Sequence, residues 1–393
     1  MKKLLLVLGN GFDLQCDLES SYGHFLKHNL SNIELWETFI DTLSETATDI
    51  WEVRVREFFK KFGSNFFNKY SVWDIYFLFK TVVLEENKER VVTLWCDFEK
   101  EIALSFERHK KYANFWDEAI KTYFKCLNNK INYIHRKPAA AIARLMFENS
   151  LRLKPLEKLN FPNYDFNKEL WYGFVLDQLK FFESRFASFL KKQINNRYLY
   201  RARMLITHLM RNDVAFEKTS VMSFNYINLS TLLELGKEVT FCNVHGTLET
   251  ETIFGIDQTN IDRDNSAFAF TKTDRIVRMN DVFINKIDKE WLNDIDTIRF
   301  YGHSLNEQDF SYFLNVFHKV NIFNSNVRIE FLYSVYDLNE AKSIRKNYED
   351  AVVKLLSRYA NELNEKIEKD LLFLRLRSEG RLAISEIEEI FNF

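Results

Sequence analysis

Four short runs carry the residue types that could do chemistry. Gly9-Asn10-Gly11-Phe12-Asp13 follows the apolar run Leu4 to Leu8, and Ser223-Phe224-Asn225 closes the run that begins at Ser220. His245-Gly246 follows Val239 to Val244, and Gly302-His303-Ser304, with Asp309 shortly after, follows Ile295 to Tyr301. An apolar strand that runs into a glycine turn and then a helix brings backbone N–H groups close to a phosphate, because glycine has no side chain to block the approach. Gly9 and Gly11 fit that role. The fingerprint GxGxxG is incomplete, since Leu14 stands where its third glycine belongs, so an ordinary tight turn is the competing reading.

The neighbouring residues each have a functional and a plain reading. Asp13 either caps the following helix or contacts a ribose hydroxyl. Ser20, Ser21 and Tyr22 either begin a helix or reach the ligand. Asn225 at a strand end points into a ligand crevice or simply forms a turn. An imidazole ordinarily titrates near neutral pH, so His245 is a candidate general base, or else a structural histidine. Ser304 with Glu307 has the S-x-x-E form of a capping box, which explains the serine without any function. What unites the four runs is position: each lies at the carboxyl end of a predicted strand, where one crevice would collect them.

The elements that must do the positioning follow from periodicity. Short apolar or β-branched runs at Leu4 to Leu8, Ser220 to Phe224, Val239 to Val244, Ile253 to Ile256, Ile295 to Tyr301 and Val327 to Tyr333 read as strands, most of them separated by helical stretches. That alternation predicts an α/β fold, with a Rossmann-like, mainly parallel sheet covered on both faces. Between Tyr22 and Ala202 only Gly23, Gly63 and Gly173 occur, so long helices can run there. Apolar positions recur at helical spacing at Phe58, Phe62 and Phe66, at Trp73, Tyr76 and Phe77, and from Phe115 to Leu127. The expected organisation is a nucleotide-binding domain of residues 1–30 plus 210–340, a large helical insertion of residues 31–209, and a helical C-terminal segment of residues 341–393 with an apolar stripe through Leu356, Tyr359, Leu363, Ile367 and Leu371.

Composition narrows the function classes. A net charge of −2 gives no global attraction to nucleic acid or an anionic membrane. The stretch Arg185, Lys191, Lys192, Arg197, Arg201 and Arg203 could form a basic helical face, but such faces are usually just solvated, and nucleic acid is not expected as a partner. Cys16, Cys96, Cys126 and Cys242 lack CxxC spacing, so neither a metal site nor a disulfide framework is expected. Lys2-Lys3 and the short run to Leu8 fall below signal-peptide length, and no apolar stretch approaches a membrane span, which makes a cytoplasmic protein the expectation.

Gly-Asn-Gly-Phe-Asp, Ser-Phe-Asn-Tyr, Val-His-Gly and Gly-His-Ser-Leu followed by Asp309, in that order, resemble the AbiH family of bacterial abortive-infection proteins over most of the chain. More distantly they resemble the sirtuin-like NAD-binding fold. There the corresponding segments are a Gly-Ala-Gly turn on the dinucleotide phosphates, a Gln-Asn-Ile-Asp strand end, a catalytic His-Gly and a Gly-Thr-Ser on the ribose. By that resemblance Asn225 and His245 are the catalytic residues, and Gly9, Asn10, Gly11, Phe12, Asp13, Tyr22, Gly302, His303, Ser304 and Asp309 surround NAD. The interval from Thr247 to Tyr301 lacks the paired cysteines of the deacylases' zinc module, so deacylation is not expected. Ile227 stands where the sirtuin-like motif has an acid, and His303 where it has a threonine.

These readings converge on an anti-phage protein that binds NAD and hydrolyses it to nicotinamide and ADP-ribose on infection, without a metal. One alternative is a module that binds NAD or another adenine nucleotide without hydrolysing it. Another is a nucleic-acid-directed toxin. A phage-derived trigger and self-association are both left open as routes of activation.

Overall fold

A computed structural model of the chain describes residues 2–29, 69–74, 76–77, 98–106, 116–117, 164–211, 216–233, 235–236, 238–258, 261–278, 292–335, 338–363 and 371–387. Two compact units emerge. The first comprises Met1–Ser20, Ala187–Ile253 and Ile276–Phe393, the second Ser21–Phe186 and Phe254–Arg275.

The first unit holds a six-stranded sheet of β1 (Lys3–Leu8), β2 (Lys218–Ser223), β3 (Val239–Asn243), β4 (Thr297–Tyr301), β5 (Arg328–Tyr333) and β6 (Leu382–Glu386). Its order is β3-β2-β1-β4-β5-β6 and every pairing is parallel. This is the order of a doubly wound Rossmann sheet, as the alternating pattern predicts. It puts β1 between β2 and β4, at the point where the strand order reverses. Successive side chains of a strand face opposite ways, yet Leu4 to Leu8 are all 1% exposed or less, so both faces of the sheet are covered at its centre.

In chain order the longer helices are α1 (Asn10–Gln15), α2 (Tyr22–Asn29), α3 (Phe98–Phe106), α4 (Tyr164–Gln193), α5 (Asn196–Arg211), α6 (Lys272–Arg278), α7 (Phe310–Val320), α8 (Ala341–Glu362) and α9 (Leu371–Ser378). Phe313 and Phe317 of α7 and Leu355 and Tyr359 of α8 join Ile298 and Phe300 of β4 in one core. Helix α5 packs on β1 and α1. Its buried positions, Tyr198, Ala202, Leu205, Ile206 and Leu209, recur three and four apart and form the apolar stripe that docks. That packing places α5 in the sheet's unit, although its sequence reads as part of the insertion.

One charge pair lies inside the sheet. Arg299 of β4 donates to Glu330, its register partner on β5, at 2.7 Å, and also to the Leu209 carbonyl, with the guanidinium 3% exposed.

The second unit has an aromatic core in which Trp73, Trp116 and Trp171 are fully buried. Two buried ion pairs hold the Phe254–Arg275 segment within it. Glu183 takes both Arg275 guanidinium nitrogens and the Phe254 N–H, while Glu99 takes Lys272 Nζ and the Gly255 N–H.

That arrangement overturns one predicted strand. Ile253 to Ile256 makes only a single bridge, Ile256 to Thr271, because the amides of Phe254 and Gly255 answer carboxylates rather than a neighbouring strand. The C-terminal segment departs from an all-helical reading too. Helix α8 ends at Glu362, Leu371 on α9 is exposed, and the chain turns at Gly380, where φ is +68°, to lay β6 against β5. The stripe holds at Leu356 and Tyr359, which are buried, and is half-buried at Leu363; Ile367 lies outside the described residues. So do Phe58, Phe62 and Phe66, the stretch from Phe115 except Trp116 and Asp117, and Cys96 and Cys126. Cys16 and Cys242 are buried. Among the described residues no helix is long and apolar enough to cross a membrane.

Candidate active site at the carboxyl ends of the parallel strands

The carboxyl ends of β1 and β4 meet backbone to backbone. Gly9 N–H donates to Tyr301 C=O at 3.0 Å and Gly11 N–H to Gly302 C=O at 2.7 Å, while Phe12 N–H turns back to Gly9 C=O at 2.9 Å. A Cβ on Gly9 would stand 2.5 Å from His303 Cα, and one on Gly11 would stand 2.7 Å from Gly302 Cα. The first two glycines of the incomplete fingerprint therefore make room for the β4 exit, and the amides of Gly11 and Phe12 are already engaged within the protein.

Asn225 extends the junction to β2. Its Nδ2 donates to Gly9 C=O at 3.1 Å, and its own carbonyl accepts from Asn243 Nδ2 at 2.9 Å, so one buried asparagine joins the exits of β1, β2 and β3. Asn10 bends outward from the same turn, its Oδ1 accepting from Ser20 Oγ at 2.6 Å.

A buried His-Asp-His group lies beside this junction. His303 Nδ1 accepts the Leu305 N–H at 2.9 Å, from a residue held at φ +53°. A neutral imidazole that accepts at Nδ1 carries its proton on Nε2, and His303 Nε2 faces Asp309 Oδ2 at 3.5 Å. The other carboxylate oxygen, Oδ1, faces His245 Nε2 at 3.4 Å. These separations are long for hydrogen bonds. All three residues are buried. The Phe224 ring stands nearly perpendicular to both imidazoles, 5.3 Å from His245 and 4.6 Å from His303, with Tyr312 completing the wall. Gly246 at φ +81°, where a Cβ would meet Glu251 C=O at 1.9 Å, permits the turn that brings His245 inward.

A carboxylate facing Nε2 favours the His245 tautomer with its proton there. An imidazole with a carboxylate behind it is an arrangement that can serve a general base.

Asp13 does not cap the helix. The α1 N-cap is Gly9, with no side-chain cap, and the Asp13 carboxylate accepts instead from Tyr198 Oη of α5 at 2.8 Å. Burial pushes its carboxyl up to about 7, partly offset by the Tyr198 hydrogen bond. Burial, reinforced by the neighbouring Asp13, also holds the Cys16 thiol far above its ordinary range, so it stays a protonated core residue.

The structure does not gather every predicted residue. Tyr22 belongs to the second unit, its ring 4.4 Å from Phe98 and 5.0 Å from Phe254. Ser304 is exposed, and the cap after it is Asn306, which accepts the Gln308 N–H in place of a Ser304–Glu307 box. Among the described residues no group of three or more His, Cys, Asp or Glu is placed to hold a metal ion. The reading missed Asn243, visible in Phe241-Cys242-Asn243 at a strand end, and Tyr312, one helical turn beyond Asp309. It also missed Tyr198, which nothing near Asp13 in the sequence signals.

The family model described as Bacteriophage abortive infection AbiH matches residues 5–333. The chain belongs to the AbiH family. The match runs from β1 to the end of β5 and takes in every residue of the strand-end junction and the His-Asp-His group. Helices α8 and α9 and strand β6 lie beyond it. Membership makes abortive infection of bacteriophage the role of the AbiH fold seen here. No curated protein and no solved structure matches the chain.

Proposed function

We propose that the protein is an abortive-infection effector whose strand-end site binds NAD and cleaves the bond between nicotinamide and ribose once infection is sensed. The observation that carries this reading is His245 Nε2 at 3.4 Å from Asp309 Oδ1 at the carboxyl ends of a Rossmann-ordered sheet, where such folds bind dinucleotides.

The chemistry asks little of the protein. The pyridinium of NAD leaves as neutral nicotinamide, taking the electrons of the glycosidic bond, so the leaving group needs no acid. Positive charge develops on the ribose, water adds at its anomeric carbon, and the water proton passes to His245 Nδ1. Asp309 stabilises the imidazolium that forms, and His303 holds Asp309 from the other side. Asn225, bonded to Gly9 C=O, acts as a positioning residue for the turn. With the Gly11 and Phe12 amides engaged, the ligand contacts fall to the Asn10 side-chain NH2 and the exposed Ser304 hydroxyl.

The test is nicotinamide release from NAD by purified protein, with and without extract of infected cells, for the wild type, His245→Gln and Asp309→Asn. Release that needs the extract and disappears in both variants is the expected result. NAD bound but never consumed under activating conditions would overturn hydrolysis and leave a nucleotide sensor. Release unchanged in both variants would overturn the site.

A further inference from the structure

Helix α5 presents an outward stripe that neither the sheet nor the proposed reaction uses. Arg197, Tyr200, Met204 and His208 recur at three- and four-residue spacing on the exposed side, Arg201 lies half-buried at its flank, and the helix contains no acidic residue. Tyr200 is 65% exposed and Met204 45%, whereas most aromatic rings among the described residues are buried. Exposed Lys191 and Lys192 end α4 just before it, and Arg203 is exposed beside Tyr200. Arg185, the sixth residue of the basic stretch, is not part of this face: it pairs with Asp74 in the second unit.

Asp17, in the turn after α1, answers these cations. It lies 2.7 Å from Arg197 and 2.8 Å from Arg201 and is 46% exposed. One turn of α5 therefore holds two links to the segment that follows the glycine turn, the other being Tyr198 Oη on Asp13.

We propose that the outward face of α5 binds single-stranded nucleic acid, with Tyr200 stacking on an unpaired base and the flanking cations holding the phosphates. A solvated ion-pair face would be expected to mix both signs and to lack a large exposed ring. Here Arg197 and Arg201 both pair with Asp17, and an aromatic ring lies between them in sequence. The ring decides for a single strand over a duplex, whose bases are already stacked, and over an acidic protein, whose carboxylates need no ring. Phosphates that take Arg197 and Arg201 must draw them from Asp17, so binding acts directly on the segment that Asp17 and Asp13 anchor. This inference does not depend on NAD hydrolysis.

The experiment is fluorescence anisotropy of a dye-labelled single-stranded DNA oligonucleotide titrated with the full chain, against the matching duplex and poly-glutamate, over a series of salt concentrations. Tighter binding of the single strand, weakening as salt rises, is expected. Tyr200→Ala weakens it by about 5-fold or more, Arg197→Gln with Arg201→Gln lowers both affinity and salt slope, and Asp17→Asn tightens binding by removing the competing carboxylate. Arg345→Gln on α8 leaves it unchanged. Asp17, Arg197, Tyr200 and Arg345 are exposed and Arg201 is half-buried, and circular dichroism of each variant checks the fold. No binding at low salt overturns the proposal, as does equal binding of poly-glutamate or an unaltered affinity in Tyr200→Ala.

Discussion

Gly11 and Gly302 touch through their backbones: the Gly11 amide donates to the Gly302 carbonyl at 2.7 Å, and a Cβ on either would collide with the other's chain. Gly302 also sits at φ +67°, with its missing Cβ only 2.4 Å from Phe12 N. The turn after β1 and the exit of β4 are thus one packed unit.

Replacing Gly302 with Ala combines a left-handed strain with a backbone clash, and is expected to destabilise the fold by more than about 3 kcal/mol. Gly11→Ala meets the same wall without the positive φ and costs less. Gly173→Ala, in α4 with nothing within 4 Å of its added Cβ, stabilises by roughly 0.5–1 kcal/mol. Urea unfolding of the three variants checks the order, and a neutral Gly302→Ala would refute the packing.

The Asp13–Tyr198 pair makes stability depend on pH. A carboxyl whose ordinary value of 3.8 rises to about 7 on folding binds its proton more tightly in the native state. Its contribution is fully present below about pH 4 and is lost as pH rises through 7, a change of up to roughly 4 kcal/mol. Asp13→Asn keeps an acceptor for Tyr198 and cannot ionise. Thermal melts should find it close to the wild type at pH 4 and clearly more stable at pH 8; an equal difference at both pH values would show that the pair does not titrate in this way.

Arg299 and Glu330 form a pair that is expensive to break and easy to replace. Arg299→Met leaves Glu330 buried with Arg328, 3.1 Å away at the start of β5, and is expected to lose about 3–5 kcal/mol. Adding Glu330→Leu to it recovers most of that loss, because two apolar side chains in adjacent strands need no compensation. Denaturant midpoints of the single and double variants measure this, and a double variant no better than the single would count against it.

His245, Asp309 and His303 differ in what they are expected to do. His245→Gln lowers nicotinamide release by about 100-fold or more, the usual size of a general-base contribution. Asp309→Asn follows closely, while His303→Gln, which can still donate toward Asp309, loses less. Plaque assays on cells carrying each variant should rank phage protection in the same order; full protection with His245→Gln would remove that residue from the mechanism.

Much of the unit with the sheet was legible because its signals are local. Leu4 to Leu8 and Ile295 to Tyr301 are apolar runs long enough only for buried strands, and each ends at a glycine that marks the exit. Strand β6 was hidden because five residues after a helical stretch carry too little periodicity to stand against it. Ile253 to Ile256 looked like a strand for the opposite reason: its apolar side chains are core, but Glu183 and Glu99 take its amides.

The sequence by itself determined the alternation of strands and helices, the strand ends that carry Asn225, His245 and Gly302-His303, and the family motifs in their order, since each depends on residues adjacent in the chain. Only the tertiary structure decided that Gly9 and Gly11 face Gly302 and His303, that Asp309 stands between two histidines, and that Asp13 answers Tyr198. Apart from His303 and Asp309, which are near in the chain, those relations join segments tens to hundreds of residues apart, and which segments meet is set by strand order and helix packing, which no local pattern encodes.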